Sequence, residues 1–323
     1  MPNFREYIKL VGRGEKGRRP LTQEEARDAL RMYLNGEAEL LQLATLLMLQ
    51  RVRCETADEA AGYIEALRER IDPQWQAINT TIDWPCFAGK RRQPPWLLLA
   101  AKLLAQRGIK VVLSGHMAVD AVKYQIESAC PALEIQQAAT PAEASSILAT
   151  DHICYIPLAS YCEPLVELLA LRDLMGLRTP LNTVARTLNP TAAPYSIHGI
   201  FHQGYEKIHA DAALRVGDNN MVAFKGEGGE SERSPRTTCH IAGMHNGIRF
   251  DEEWPTLLEA SSGKHGEISG EYLQSVWLGH RHSEYGKYAT IGTLAIILKM
   301  MDKANSQQAA LTLAQQWWEE RQA

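Results

Sequence analysis

The chain has 323 residues, 45% hydrophobic and 22% charged, enough to bury a sizeable core in two domains or subdomains. Its formal net charge of −4 gives no global sign of a nucleic-acid binder, and no apolar run reaches the roughly 18 residues of a membrane span. Six cysteines (Cys54, Cys86, Cys130, Cys154, Cys162, Cys239) form no CxxC pair or zinc-ligand spacing, and the charged N-terminus lacks an apolar signal core, so the expectation is a cytoplasmic protein with reduced, mostly buried thiols.

Three helices are expected first, near 22–35, 39–52 and 57–71. Thr22 with Glu25 and Thr56 with Glu59 are capping-box pairs, in which a hydroxyl and a carboxylate satisfy the free N–H groups of a first turn. Between them "ELLQLATLLMLQRV" is apolar on almost every side and reads as the central helix of a small bundle. After Pro73 short β runs alternate with helices. Strands are expected at 80–84, 110–114, 152–157, 196–201 and 221–225, and helices at 95–106, 119–129, 142–149, 164–175 and 205–216. That alternation predicts an α/β fold with a mostly parallel sheet flanked by helices, behind a small N-terminal helical domain. "CHIAGMHNGIRF" carries an Asn-Gly hairpin signal, and three helices near 271–278, 288–301 and 307–320 close the chain. The boundaries predicted are a helical domain over 1–72, completed by the 163–182 segment, and an α/β domain over 76–323.

Charge is unevenly spread. Residues 85–124 hold seven Lys or Arg against Asp120 alone, a block of +6 that leaves −10 over the rest. The densest part, "CFAGKRR", follows the first strand and precedes a helix, where α/β proteins favour anions. Lys90, Arg91 and Arg92 stand there after a single Gly89, and Trp96 beside them is a stacking candidate. The first twenty residues repeat the bias with Arg13, Lys16, Arg18 and Arg19. Lys123 is a further candidate, as is Lys225, which ends a strand beside a glycine-rich turn. "GHRH" (279–282) lacks a third ligand at metal spacing, and "KGEGGE" (225–230) lacks the spacing of a Walker loop.

The order of these segments carries a resemblance. The 21–69 helical stretch and "LRDLMGLRTPLNTVARTLNP" (171–190) resemble the glycosyltransferase family that includes anthranilate phosphoribosyltransferase and pyrimidine nucleoside phosphorylase. Arg172, Gly176, Arg178, Thr179, Asn182, Asn189 and Pro190 fall on its characteristic positions. The resemblance implies a homodimer built through the helical domain and a cleft between the domains. It also implies a vestigial substrate cleft at Gly89, Gly115, Arg172 and Asn182. The family's GTGGD donor loop corresponds to "CFAGKRR", its KHGNR motif to "LSGHM", and its proline turn to "ARTLNP" with Arg186 replacing proline. Its magnesium-binding Asp-Glu pair is met by Glu230 and Ser231, so Glu230 is the sole and weak metal candidate.

With donor and metal motifs lost and cations in their place, the sequence resembles the family's nucleic-acid-binding branch. The expectation is a non-catalytic homodimer with no cofactor that binds DNA or RNA without sequence preference. Its contacts would be Lys90, Arg91, Arg92, Arg186, Arg13, Lys16, Arg18, Arg19, Lys123 and Lys225. The alternative is an anthranilate phosphoribosyltransferase or related magnesium-dependent pentosyltransferase with divergent donor loops.

Overall fold

The computed structural model describes residues 3–116, 123–259 and 267–322. Both capping boxes form: Thr22 and Thr56 accept from the backbone N–H of Glu25 and Glu59, and start helices Gln23–Leu34 and Ala57–Arg68. Between them lies helix Leu40–Arg53. It buries Leu43, Leu46 and Leu47, but Leu41 and Val52 stay 78% and 81% exposed, so it is not the fully enclosed helix expected from its composition. Helix Phe4–Gly12, which the basic count hid, packs on it through Phe4, Tyr7 and Val11 at amphipathic spacing.

The α/β part holds one seven-stranded sheet: β1 (Ile82–Cys86), β2 (Val111–Gly115), β3 (Ile153–Pro157), β4 (Tyr195–Ile200), β5 (Met221–Lys225), β6 (Cys239–His245) and β7 (Ile248–Trp254). Their order is β3-β2-β1-β4-β5-β6-β7, parallel from β3 to β5 and antiparallel from β5 to β7. The expected hairpin turns at Asn246-Gly247, both at positive φ, as a two-residue turn requires. Of the helix expected over 119–129, residues 119–122 lie outside the described residues and the rest is helical only over Ile126–Ala129. The long C-terminal helix starts at Glu284, earlier than expected, because Ser283 caps it by accepting from Gly286 N–H.

Side-chain alternation divides the core. Ile82, Trp84 and Cys86 of β1 face the helices Leu97–Gln106 and Glu284–Met300. On the opposite face of the sheet, Val112, Cys154 and Ile156 join the core of the helical domain, together with Leu165, Leu168 and Leu171 of helix Glu163–Met175. Strand order reverses between β1 and β4, so the loops after β1, β4 and β5 open on one crevice, the usual ligand position in such sheets. No helix among the described residues is long and apolar enough to cross a membrane.

Candidate functional site

The loop after β1 is fixed at both sides. Lys90 and Tyr124 exchange backbone hydrogen bonds of 2.8 Å in each direction, and Lys123 Nζ donates to Ala88 C=O at 2.5 Å. Gly89 turns at φ +68°, with Gln125 and Lys123 where a Cβ would go. The N–H groups of Ala88 and Gly89 then point at one acceptor, an anion nest of the kind that cradles phosphate. The acceptor is already present. Glu230 Oε1 takes both bonds, each 2.6 Å, from a side chain that is 1% exposed.

A cation fills the neighbouring position in the same way. Lys90 Nζ lies 2.6 Å from Glu232 Oε1 and 2.7 Å from Glu227 Oε2, and its side chain is fully buried. Burial pushes the ammonium down, yet Glu232 and Glu227 more than offset this and hold its pKa above the ordinary lysine value. Glu232 Oε2 also accepts from Leu97 N–H at 2.9 Å, at the start of helix Leu97–Gln106, and Ser231 Oγ accepts from Trp84 Nε1 at 2.6 Å. Among the described residues no group of three or more His, Cys, Asp or Glu is arranged to hold a metal ion. Magnesium does not fit this turn as it stands: Lys90 occupies the space between two carboxylates, and a nest occupies the third.

The predicted cations therefore separate. Lys90 is an internal counter-ion and cannot meet a polynucleotide, because it is fully buried between Glu227 and Glu232; those acids lie more than a hundred residues later, and nothing local in the sequence marks them as its partners. Lys123 is committed to the loop carbonyl. Trp96 is no stacking surface, since it is fully buried against Tyr272 and Gly286. Arg19 makes a bidentate pair with Glu25, both bonds 2.6 Å, while Arg13, Lys16 and Arg18 are exposed beyond helix Phe4–Gly12. None of these four is among the described residues lining the crevice. Gly115 serves packing, because a Cβ there would stand 2.3 Å from Cys86 O. Arg172 is half-buried in the last turn of helix Glu163–Met175.

Two adjoining hollows remain. The outer one, about 650 Å³, is lined by the exposed Arg91, Arg92 and Lys225 together with Phe201. Its acids are engaged: Glu206 accepts from Gly204 N–H and Glu227 holds Lys90. The inner one lies against the helical domain and gathers Arg51, Arg178 and Arg186 around Asn182, Tyr205 and Phe201. Glu55 there accepts from Thr183 Oγ1 at 2.6 Å. Arg186 is 8% exposed and donates to Asn182 C=O at 3.3 Å; burial lowers its pKa to about 10, with Glu230 opposing and Arg178 adding repulsion, so it stays a cation at neutral pH. Sequence reasoning missed Arg51, Arg178, Glu227 and Glu232 as members of this region. Only Arg178, eight residues before Arg186 in one motif, had a legible signal.

This crevice and its two domains have relatives. The helical bundle domain of the glycosyl transferase family matches residues 5–71. Anthranilate phosphoribosyltransferase of Geobacillus sp. (strain WCH70) is 28% identical over 232 residues, 70% of this chain and 67% of that one. The uncharacterized protein YbiB of Escherichia coli (strain K12) is 29% identical over 59% of this chain and 60% of its own. Anthranilate phosphoribosyltransferase of Thermus thermophilus superimposes with a TM-score of 0.81 at 20% identity, over 98% of this chain and 94% of that structure. The chain has the anthranilate phosphoribosyltransferase fold. The Saccharomyces cerevisiae enzyme of that fold, solved in complex with PRPP and Mg, superimposes with a TM-score of 0.76 at 12% identity over 98% of this chain and 93% of the other.

Proposed function

We propose that this phosphoribosyltransferase-like chain binds the phosphate backbone of nucleic acid, without sequence preference, and transfers no phosphoribosyl group. One observation carries the reading: Glu230 fills the nest of Ala88 and Gly89 while Lys90 fills the space between Glu227 and Glu232. A pyrophosphate would have to displace a buried carboxylate, and its metal a buried ammonium. The exposed Arg91, Arg92 and Lys225 neutralise phosphates at the mouth without reading bases. A homodimer, presenting two such crevices, is part of the proposal. Leu41 and Val52 support it as exposed apolar residues three turns apart on one helix face.

Phosphoribosyl transfer is the second reading, and the named relatives favour it more directly than they favour nucleic-acid binding. The two separate in calorimetry. The proposal predicts binding of mixed-sequence DNA and no heat from phosphoribosyl pyrophosphate with Mg²⁺ at millimolar concentration. Donor binding with Mg²⁺, and pyrophosphate release with anthranilate, would establish the second reading.

A further inference from the structure

Phe201 lies between the two hollows. It lines both the outer one, with Arg91, Arg92 and Lys225, and the inner one, with Arg51, Arg178 and Arg186. It is also 49% exposed, a large aromatic left open beside clustered cations. Its Cβ and ring edge lie against Gly229, 3.3 and 3.5 Å from where a Cβ would stand there, so the turn that carries Glu230 supports the ring from below. His202 meets it edge-on with centroids 4.9 Å apart, and Tyr205 lies beyond His202. This packing limits the ring's motion, and a ring held this way loses little freedom on binding a flat partner.

We propose that Phe201 is a stacking platform for an unpaired base, so that the crevice takes single-stranded nucleic acid with phosphates on the flanking arginines and Lys225. The proposal rests on the nucleic-acid reading above and adds its strand class. A duplex keeps its bases stacked on one another and offers the ring only backbone. A single strand presents a π face between successive phosphates, and every base has one, so stacking adds affinity without sequence preference.

The test uses fluorescence anisotropy with the full chain, comparing a mixed-sequence single strand with an abasic phosphodiester strand of equal length. Phe201→Ala should weaken the base-bearing strand at least about fivefold, the lower end of what one base–aromatic stack contributes. It should leave the abasic strand and the salt dependence unchanged, since no charge is lost. Phe201→Trp should restore the base-bearing strand, which separates stacking from a folding defect. Equal weakening of both strands by Phe201→Ala, or no weakening of either, would overturn the platform alone. Failure of the wild-type chain to bind either strand would overturn the nucleic-acid reading beneath it.

Discussion

Lys90 is bound by two acids from a single turn more than a hundred residues away. With all three groups drawn into the protein, the ion pair contributes less than the cost of breaking it. Lys90→Met would leave Glu232 and Glu227 facing each other without a counter-ion, and the expected loss is about 3–5 kcal/mol in urea unfolding. Adding Glu232→Gln removes one stranded charge while the amide oxygen can keep the bond from Leu97 N–H, so the double variant should recover much of that loss. Recovery would identify Lys90 as a structural counter-ion. A Lys90→Met variant as stable as wild type would show that the pair is not buried in solution.

At the scale of elements, the strand–helix pattern was legible because it depends on local chemistry. Both capping boxes form where their residues predict, and each of the five parallel strands coincides with a short apolar run. Less legible was what lies across elements. Glu59 completes its capping box but also accepts from Leu21 N–H and from the side chains of Gln50 and Arg53, partners that only the packed bundle supplies. The same holds for polar groups on the sheet face toward the helical domain. Asp83 of β1 is buried, its Oδ2 has no hydrogen-bond partner among the described residues, and burial raises its pKa to about 7. On the adjacent strand β4, His198 meets His209 at 3.3 Å between Nδ1 atoms, and burial, aided by Arg68 and Arg186, lowers His198 to about 3. The two groups act in opposite directions. Asp83 holds its proton in the fold but loses it near pH 3.9 when unfolded, so its contribution is full below about pH 4 and is lost as pH rises to 7. His198 is neutral in the fold but protonates near pH 6.5 when unfolded, so its contribution is full above about pH 6.5 and is lost as pH falls. Asp83→Asn should remove the first trend and leave stability rising with pH between about 4 and 6.5, read from urea midpoints. An unchanged profile in that variant would mean that Asp83 is ionised and solvated in the folded chain.

Over the whole molecule, a net charge of −4 conceals the separation of its cations into internal and external sets. The triplet Lys90-Arg91-Arg92 reads as one patch in sequence, yet the loop turns Lys90 inward and leaves its two neighbours at the surface. No local rule distinguishes them, because the acids that draw Lys90 in arrive with β5. The helix face bearing Leu41 and Val52 is open to a second copy. On the proposed dimer, the wild-type chain should sediment as a dimer in sedimentation velocity, and Leu41→Glu with Val52→Glu should yield a folded monomer. A monomeric wild-type chain would remove the proposed dimer.

The most direct test of a crevice closed to the donor but open to a phosphate backbone is the salt dependence of single-stranded DNA binding in the wild-type chain and in Arg91→Ala/Arg92→Ala. Each phosphate contact on a single strand contributes a slope of about 0.7 in log K against log salt. The double variant should bind more weakly, with a slope smaller by about 1.4. Binding that is insensitive to salt and to both substitutions, or DNA displaced by phosphoribosyl pyrophosphate with Mg²⁺, would contradict it.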